Sequence, residues 1–310
     1  LIVAGDPKSI FLEIFFKIFN KKKKLPIILI VNKNILVSQL KIFKKKFKLN
    51  ELKNIEKLNT KILKKNVINF INVKFNSKNS NKYIADCFSC ALSLLKKDQN
   101  IRLINGPIVK KTFLKNSFKG ITEYLASKSK RKDKVAMLIF NKKLSVSPIT
   151  THIPLKNVHK EISKNKIIKH VKLINTFYKK NLRIIPKIGV TGLNPHCESN
   201  FNSSEEDKII APAINYLKNK KYKISGPFPA DTIFLKEKIK EFDVIIGMYH
   251  DQVLTPIKTI YGFSAINITL GLPFTRISPD HGPNIKMFGK NISSPESLME
   301  AILFLEKKCN

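Results

Sequence analysis

The feature that most constrains the fold is a series of short apolar runs that alternate with helical segments. Several runs, such as "DVIIGMY" at 243–249, are apolar on both faces, which is typical of strands inside a parallel sheet. The intervening segments show the apolar period of helices. This alternation predicts an α/β fold. The predicted strands are "LPIILIVN", "VINFINVKF", "IRLINGPI", "KVAMLIF", "KIGVTGL", "DVIIGMY" and "AINITLGL".

Helix ends and chain length suggest how the fold is organised. Ser203, followed by Glu206, predicts a capping box at the start of one helix. Ser294 and Pro295 predict the start of the last helix. The 310 residues, 43% of them hydrophobic, suffice for one large domain or for two lobes. We expect the lysine-rich helical stretch at 156–183 to carry the chain between two lobes.

The charge of the chain raises the question of a nucleic-acid partner. The formal net charge is +36, and a basic nucleic-acid-binding protein would lose affinity steeply as salt is added. Only four of the basic residues are arginines, whereas base and phosphate recognition favours the planar guanidinium group. Lysine runs such as "NKKKK" at 20–24 are typical of solvated loops and helix ends. We therefore expect no specific nucleic-acid partner, and nucleic-acid binding remains a remote alternative.

Apolar stretches and cysteines bear on the location of the protein. No stretch reaches the roughly 18 apolar residues of a membrane-spanning helix, so no membrane partner is expected. The opening "LIVAGDP" carries no charged leader. Cys87 and Cys90 form a C-x-x-C inside an apolar helical pattern, which favours a buried helix face over redox chemistry. We expect a cytoplasmic protein.

Three histidines come shortly after predicted strands. His152 ends "SPITTH", His196 ends "VTGLNPH", and His250 follows "DVIIGMY". Loops at the carboxyl ends of parallel strands collect ligand-binding groups. Neutral imidazoles suit divalent cations such as Zn²⁺. The three residues are far apart in the chain, so the sequence alone leaves open whether they meet, but they are the ingredients of a three-imidazole metal site.

Several motifs resemble the 4-hydroxythreonine-4-phosphate dehydrogenase family of vitamin B6 biosynthesis in order and approximate spacing. The resemblance extends from "AGDP" at 4–7 to the last helix. It implies an isopropylmalate dehydrogenase-like, two-lobed α/β/α fold over residues 1–310. No G-x-G-x-x-G occurs, so a Rossmann fingerprint is not expected. The motifs are "THIPL", "GLNPH", "GPFPADTIF", "MYHDQ", "INITLGLPFTR" and "DHG", and the cleft-lining segments implied are 104–123, 150–155, 192–196 and 227–282.

The resemblance also implies a metal site and a reaction. The three metal-binding histidines of the family fall on His152, His196 and His250. They imply a divalent ion, Zn²⁺, Co²⁺ or Mg²⁺, at the interface of a homodimer with ligands from both subunits. The family oxidises the C3 hydroxyl of 4-phosphooxy-L-threonine with NAD or NADP. The product, 2-amino-3-oxo-4-phosphooxybutanoate, then decarboxylates to 3-amino-2-oxopropyl phosphate.

Substrate-contacting and proton-transfer positions are implied in the same way. The substrate-contacting positions of the family match Thr122, Lys258, Asn267 and Arg276. A phosphorylated substrate requires such fixed donors. Asp231 in "PADT" and Asp251 beside His250 are candidates either for proton transfer or for orienting a ligand imidazole. The sequence leaves those two roles open.

The cofactor is implied to bind a late loop, "DHGPNIKMFGKN" at 280–291. Asp280, His281 and Gly282 match the family and are the expected cofactor-binding residues. Lys286 stands where an acidic residue is common in the family. A basic residue there would favour the additional phosphate of NADP if it faced the ribose, so the choice between NAD and NADP stays open.

One departure from the family bears on the substrate. The family's Gly-His-Thr-Glu motif occurs here as "GITE" at 120–123, so Ile121 takes the place of a substrate-contacting histidine. Related enzymes oxidise four-carbon acid sugar phosphates such as threonate or erythronate 4-phosphate, and this is the nearest alternative function. A further alternative is that this chain is a non-catalytic relative of the family, which would bind metal without turnover.

Overall fold

The structure is a computed structural model of the chain. It confirms the predicted α/β class, because strands and helices alternate along the sequence. The chain divides into two compact units. Unit 1 comprises Leu1–Ser117 and Pro273–Asn310, and unit 2 comprises Phe118–Leu272. The structure describes all residues except 21–24, 54–61, 99, 110–112, 115–116, 119, 133, 198–203, 263 and 308–310.

Unit 1 is built around a parallel sheet. Its described strands are β1 (Ile2–Val3), β2 (Ile28–Val31), β3 (Leu49–Glu51), β4 (Ile68–Asn72), β5 (Leu103–Asn105) and β12 (Arg276–Pro279). They lie in the order β3-β4-β2-β1-β5-β12, and all of these neighbours are parallel. Leu29, Ile30 and Val31 are fully buried, as expected for a strand that is apolar on both faces.

Helices of unit 1 pack on this sheet. They are α1 (Phe11–Phe19), α2 (Lys33–Ile42), α3 (Ser80–Lys97) and α9 (Glu296–Lys307). α3 packs on β1 and β2, and α9 packs on β12. The Ser294 hydroxyl accepts a hydrogen bond from the Glu296 N–H at 3.3 Å, which agrees with the predicted cap of the last helix.

The C-x-x-C motif lies on α3. Cys87 is buried and Cys90 is half-buried. Burial raises the pKa of the Cys87 thiol to about 12, and burial also raises the pKa of Cys90. Because redox and metal chemistry require the thiolate, these two residues serve the packing of the helix, as predicted.

Unit 2 contains a mixed sheet. Its described strands are β6 (Ala136–Phe140), β7 (Ser145–Thr150), β8 (Ile188–Thr191), β9 (Ile224–Phe228), β10 (Val244–Tyr249) and β11 (Ile266–Leu270). Their order is β11-β6-β7-β10-β8-β9. β6 is antiparallel to β7 and β11, whereas β7, β10, β8 and β9 run parallel. Val244, Ile245 and Ile246 are fully buried, and each such side chain contributes roughly 1.5–3 kcal/mol to folding.

The helices of unit 2 correct one expectation. They are α4 (Ile121–Lys128), α5 (Val158–Glu161), α6 (Lys164–Leu182), α7 (Ala211–Asn219) and α8 (His250–Tyr261). The lysine-rich stretch at 156–183 forms α5 and α6 inside unit 2, so its predicted role as a link between lobes was wrong. Its lysines are the polar side of a helix whose Ile167, Val171 and Ile174 are fully buried. Across the described residues, none of the helices has the length and apolar character needed to span a bilayer.

Candidate active site

Three neighbouring strands of unit 2 are each followed by a histidine. His152 comes after β7, His196 after β8 and His250 after β10. β10 lies between β7 and β8 and is parallel to both, with Tyr249 opposite Thr150. The three histidines therefore follow the same edge of the sheet. We call the loops that carry them the histidine edge.

Two of these histidines lie side by side. The ring centroids of His152 and His250 are 5.8 Å apart, and the ring planes are tilted by 42°. Just before them, the Thr150 hydroxyl donates a hydrogen bond to the carbonyl oxygen of Met248 at 2.8 Å. This bond ties β7 to β10 at the point where both strands end.

Gly120, directly before α4, leaves space beside His152. A Cβ atom at this position would lie 3.1 Å from Nδ1 of His152 and 2.9 Å from Oε2 of Glu123. Thr151 donates a hydrogen bond to Oε1 of Glu123 at 3.4 Å, whereas Oε2 is buried and has no hydrogen-bond partner among the described residues. A side chain larger than glycine would displace the imidazole or the carboxylate.

Asp251 contacts the ring of His250 directly. Nδ1 of His250 lies 2.6 Å from Oδ1 of Asp251, at the first turn of α8. A carboxylate on Nδ1 favours the tautomer that leaves Nε2 without a proton, and that nitrogen can bind a metal ion. Asp231, in contrast, is exposed in the turn after β9, and no hydrogen bond described for this chain joins it to the histidine edge.

His196 lies in a tight turn that Glu206 supports. Its φ of 57° places it in the left-handed region, and its side chain is exposed. The buried carboxylate of Glu206 accepts hydrogen bonds from the N–H groups of Leu193 and Asn194 at 2.6 and 2.9 Å, and from the Asn194 amide at 2.8 Å. Burial raises the pKa of Glu206, but these hydrogen bonds outweigh burial, so the pKa lies below its ordinary value.

Sequence patterns assigned Glu206 a different role. Ser203, the predicted cap, lies outside the described residues, and among the described residues the adjacent Ser204 bonds to the first turn of the helix. Its hydroxyl accepts a hydrogen bond from the Asp207 N–H at 3.2 Å and donates one to the Asp207 carboxylate at 2.8 Å. The carboxylate of Glu206 supports the loop before His196. An acidic residue that follows a histidine-bearing loop is the only sequence signal for this contact.

The spacing of His152 and His250 suits a shared divalent ion. Two imidazoles on one tetrahedral Zn²⁺, with metal–nitrogen distances of about 2.1 Å, have ring centroids about 5 Å apart. The separation of His152 and His250 is close to this value, so the pair fits two positions of such a site. Within the ranges that the structure describes, no three His, Cys, Asp or Glu side chains are grouped so that they could hold a metal ion. His196 of the same chain therefore does not complete the pair.

The expected substrate-contacting residues of unit 2 lie on two elements near each other. Thr122, on α4, is buried, and its hydroxyl lies 3.4 Å from the hydroxyl of Thr269 on β11. Asn267 precedes Thr269 on the same face of β11, and its Oδ1 is buried without a hydrogen-bond partner among the described residues. Lys258 is exposed on α8, the helix that begins at His250.

Arg276, the fourth expected substrate contact, lies in unit 1. It is fully buried at the start of β12, and its Nε donates a hydrogen bond to Oδ1 of Asn105 at 2.7 Å. The Asn105 amide in turn donates to the carbonyl oxygen of Gly106 at 2.9 Å. Asn105 therefore helps to fix the position of the buried guanidinium.

The expected cofactor loop, 280–291, is anchored at its beginning. The Asp280 N–H donates a hydrogen bond to the Ser297 hydroxyl at 2.7 Å, and the Ile10 N–H donates to the carbonyl oxygen of Pro283 at 3.1 Å. His281 stacks on Phe11 with centroids 6.5 Å apart. Burial lowers the pKa of His281.

The end of the loop is anchored on α1. Lys17 forms an ion pair with the buried Glu13 at 2.9 Å and donates hydrogen bonds to the carbonyl oxygens of Asn291 and Ser293 at 2.9 and 2.8 Å. The Ser293 N–H donates to Glu13 Oε1 at 2.7 Å. Lys286, between these anchors, is exposed.

Known proteins resemble this chain along nearly all of its length. The 4-hydroxythreonine-4-phosphate dehydrogenases of Sulfurihydrogenibium sp. (strain YO3AOP1) and Wigglesworthia glossinidia brevipalpis are 39% and 36% identical to it, over 97% of this chain and 95% and 94% of theirs. A 1.25 Å crystal structure of the Klebsiella pneumoniae 4-hydroxythreonine-4-phosphate dehydrogenase is 26% identical, covers 98% of this chain and 97% of its own, and superposes with a TM-score of 0.81.

These similarities confirm the fold and the resemblance on which the sequence expectations rest. The family model described as "Pyridoxal phosphate biosynthetic protein PdxA" matches residues 22–305. That range contains every histidine of the histidine edge and every expected substrate and cofactor position. The chain belongs to the PdxA family of pyridoxal phosphate biosynthetic proteins.

Proposed function

We propose that this chain oxidises the C3 hydroxyl of 4-phosphooxy-L-threonine with NAD or NADP in pyridoxal phosphate biosynthesis. The product, 2-amino-3-oxo-4-phosphooxybutanoate, would lose CO₂ to give 3-amino-2-oxopropyl phosphate. Family membership and the names of full-length relatives support this activity. The observation that carries the proposal is the adjacent pair of His152 and His250, with Asp251 on the ring of His250.

We infer that His152, His196 and His250 hold a divalent cation. The first and last of these are already close enough to share one ion. When bound, Zn²⁺, Co²⁺ or Mg²⁺ would make a coordinated alcohol more acidic and would stabilise the negative charge that develops during decarboxylation. The contact of Asp251 with Nδ1 of His250 at 2.6 Å would orient Nε2 toward the cation, which favours the orienting role for this residue over proton transfer. Asp231 remains the candidate for proton transfer.

We propose that the third imidazole comes from a second copy of the chain. His196 is exposed and does not complete the pair within one chain. A homodimer in which His196 of one subunit meets His152 and His250 of the other would supply three nitrogen ligands and leave positions open for substrate.

The remaining expected residues would bind the substrate and the cofactor. Buried Thr122 and half-buried Asn267, whose Oδ1 is buried, offer fixed hydrogen-bonding groups, and Lys258 offers a positive charge for the phosphate. In unit 1, Arg276 would supply a buried positive charge to an anionic group. Asp280, His281 and Gly282 of the anchored loop would contact NAD or NADP.

We also propose a cytoplasmic location. Cys87 and Cys90, on α3, are free thiols, which suit a reducing compartment. Cell fractionation of the producing organism would test this, and recovery in an oxidising compartment would contradict it.

The activity is tested by following reduced nicotinamide at its absorbance band. The purified protein is supplied with 4-phosphooxy-L-threonine and, in parallel, with threonate and erythronate 4-phosphates, each with NAD and with NADP. We expect turnover of the first substrate, its loss on chelation, and its recovery when a divalent ion is added. Turnover of the sugar acid phosphates alone would assign the alternative activity and would attribute the change to Ile121. Metal binding without turnover of any of the three would contradict the dehydrogenase proposal.

Mixing variant subunits tests the shared site. His152→Ala, His196→Ala and His250→Ala chains are denatured and refolded together in pairs. Because His152 and His250 are adjacent in one chain, their variants should not restore each other. Either one mixed in equal amount with His196→Ala should regain about a quarter of the sites, because random pairing makes half of the dimers mixed and each mixed dimer has one intact site. Restoration in the first mixture would contradict the arrangement.

A further inference from the structure

The side chain of Gln252 uses both its oxygen and its nitrogen inside unit 2. Its Oε1 accepts a hydrogen bond from the N–H of Met248 at 2.7 Å and another from the hydroxyl of Thr191 at 2.8 Å. Its Nε2 donates to the carbonyl oxygen of Gly192 at 2.8 Å. Gln252 is only 9% exposed, so these bonds are shielded from competition by water.

The partners of Gln252 belong to the ends of two different strands. Thr191 is the last residue of β8 and Gly192 follows it, whereas Met248 is next to the end of β10. The chain continues from Gly192 to His196 and from Met248 to His250. One side chain therefore bridges the two strand ends that lead to two of the three histidines.

Gly247 provides the space that this bridge needs. A Cβ atom on Gly247 would lie 2.4 Å from Cγ1 of Val253 and 3.0 Å from Oε1 of Gln252. Only glycine at this position lets the first turn of α8 approach β10 closely enough for Gln252 to reach the Met248 N–H. The bridge is thus built into the packing of α8 on the sheet.

We propose that Gln252 is a positioning residue that fixes the end of β10 relative to the end of β8, and through them the imidazoles of His250 and His196. This inference rests on the proposed divalent-cation site. If His196 serves the site of a second subunit, Gln252 couples the two sites of the dimer, because it joins the strand ends that lead to one ligand of each site. Side chains that orient metal ligands typically change metal affinity by about 10- to 100-fold when they are removed.

The test compares Gln252→Met with Gln39→Met. Methionine matches the size and flexibility of glutamine but lacks its hydrogen-bonding groups. Gln39 is a buried glutamine of unit 1 whose Nε2 donates to the carbonyl oxygen of Pro7 at 2.8 Å, so its variant controls for the loss of a buried amide elsewhere. Thr191→Val removes one of the three bonds with almost no change in shape.

Three readouts are taken on each full-length variant. They are the affinity for Co²⁺ by visible absorbance, the shape of the Co²⁺ spectrum, and kcat and KM separately. For Gln252→Met we expect Co²⁺ affinity about 10- to 100-fold lower, an altered spectrum and reduced kcat with little change in the KM for the nicotinamide cofactor. Thr191→Val should lower the affinity by about 3- to 10-fold. Gln39→Met should leave the affinity and the spectrum unchanged.

The outcomes separate this inference from the proposed function. Wild-type affinity and spectrum in Gln252→Met, or in Thr191→Val if Gln252→Met does not fold, would overturn the positioning role while leaving the metal site intact. A wild-type protein that binds no Co²⁺ would overturn the metal site and this inference together. An equal loss of Co²⁺ affinity in Gln39→Met would show that the effect of Gln252→Met comes from general destabilisation. That result would also overturn the proposal.

Discussion

The carboxyl edges of the two parallel sheet regions carry different chemistry. In unit 1, β2, β4 and β5 end in or are followed by Asn32, Asn72 and Asn105, which we call the asparagine edge. In unit 2, β7, β8 and β10 lead to the histidine edge. The asparagine side chains bond to backbone and to neighbouring side chains. Asn32 accepts from the N–H groups that start α2, Asn72 donates to Glu51, and Asn105 accepts from Arg276. At the histidine edge, the side chain of Asp251 contacts the ring of His250, and that of Gln252 joins the ends of β8 and β10.

This difference shows how one sheet arrangement can serve two purposes. Asn32 satisfies both its donor and its acceptor on backbone, and such a neutral amide stabilises a loop without attracting an ion. An imidazole that is oriented by a carboxylate keeps one nitrogen for a ligand. Strand order brings the residues to one edge, and residue type decides what that edge can bind.

The strongest test removes an imidazole from the histidine edge. His152→Ala should lower kcat/KM by at least about 1,000-fold, because the proposed cation loses a ligand. His159→Ala is the control, since His159 is an exposed histidine of α5 in the same unit. Steady-state kinetics with saturating metal provide the measurement. Comparable kcat/KM values in His152→Ala and His159→Ala would show that the histidine edge has no special role in the reaction. The distinction between the two edges would then be lost.

A histidine away from both edges tests whether metal affinity depends on the position of a histidine or only on its residue type. His170, on α6, is buried, and burial lowers its pKa from 6.5 to about 4, while its Nδ1 lies 3.0 Å from the Lys166 carbonyl oxygen. In the unfolded chain His170 takes up a proton below about pH 6.5. Its contribution to stability is therefore complete above that pH and is lost as the pH falls toward 4.

The expected size of this loss is on the order of 3 kcal/mol. Denaturant unfolding of the wild type and of His170→Leu, measured between pH 7 and 4.5, should show a decline in the wild type that is smaller in the variant. Metal affinity at neutral pH should be the same in both proteins. An identical pH dependence would show that His170 does not titrate as its burial implies.

The asparagine edge is tested by Asn105→Leu. The Arg276 Nε loses the acceptor that it now has at 2.7 Å, so the free energy of unfolding of unit 1 should fall by about 1–3 kcal/mol. Thermal unfolding measures the loss, and Co²⁺ affinity should be unaffected. Lowered Co²⁺ affinity in this variant would mean that the two edges do not act independently.

The smallest expected effect concerns the anchored loop of unit 1. If Lys286 favours NADP, Lys286→Glu should shift the ratio of kcat/KM for NADP over NAD toward NAD by about 2- to 5-fold, which is typical of one exposed charge. Lys290→Glu, on the same loop, is a matched control for net charge. A wild-type enzyme that strongly prefers NAD would reject the role of Lys286 outright.

Most strands of this fold could be predicted from the sequence, because buried strands consist of short runs of apolar residues. "DVIIGMY" and "KIGVTGL" are apolar on both faces, and both form interior strands. The order of strands was not predictable, because it depends on how helices pack between them. That order places β10 between β7 and β8 and so makes His152 and His250 neighbours.

The sequence named candidate site residues only where motifs matched the family, and their roles stay predictions. Glu206 shows the limit of local patterns, because a capping carboxylate and one that supports a distant loop have the same sequence signature. The antiparallel pairing of β6 and β11, which brings Thr269 toward Thr122, also has no local signature. Contacts between residues far apart in the chain require the three-dimensional structure.

The loop at 280–291 is anchored within unit 1 at both ends. Ser297 and Ile10 bind its beginning, and Glu13 and Lys17 bind the chain at its end. Its ends have therefore already lost conformational entropy during folding. When a ligand binds this loop, less conformational entropy is lost, so more of the free energy of the contacts contributes to affinity. Lengthening the segment between the two anchors should weaken that ligand even if every contacting side chain is kept.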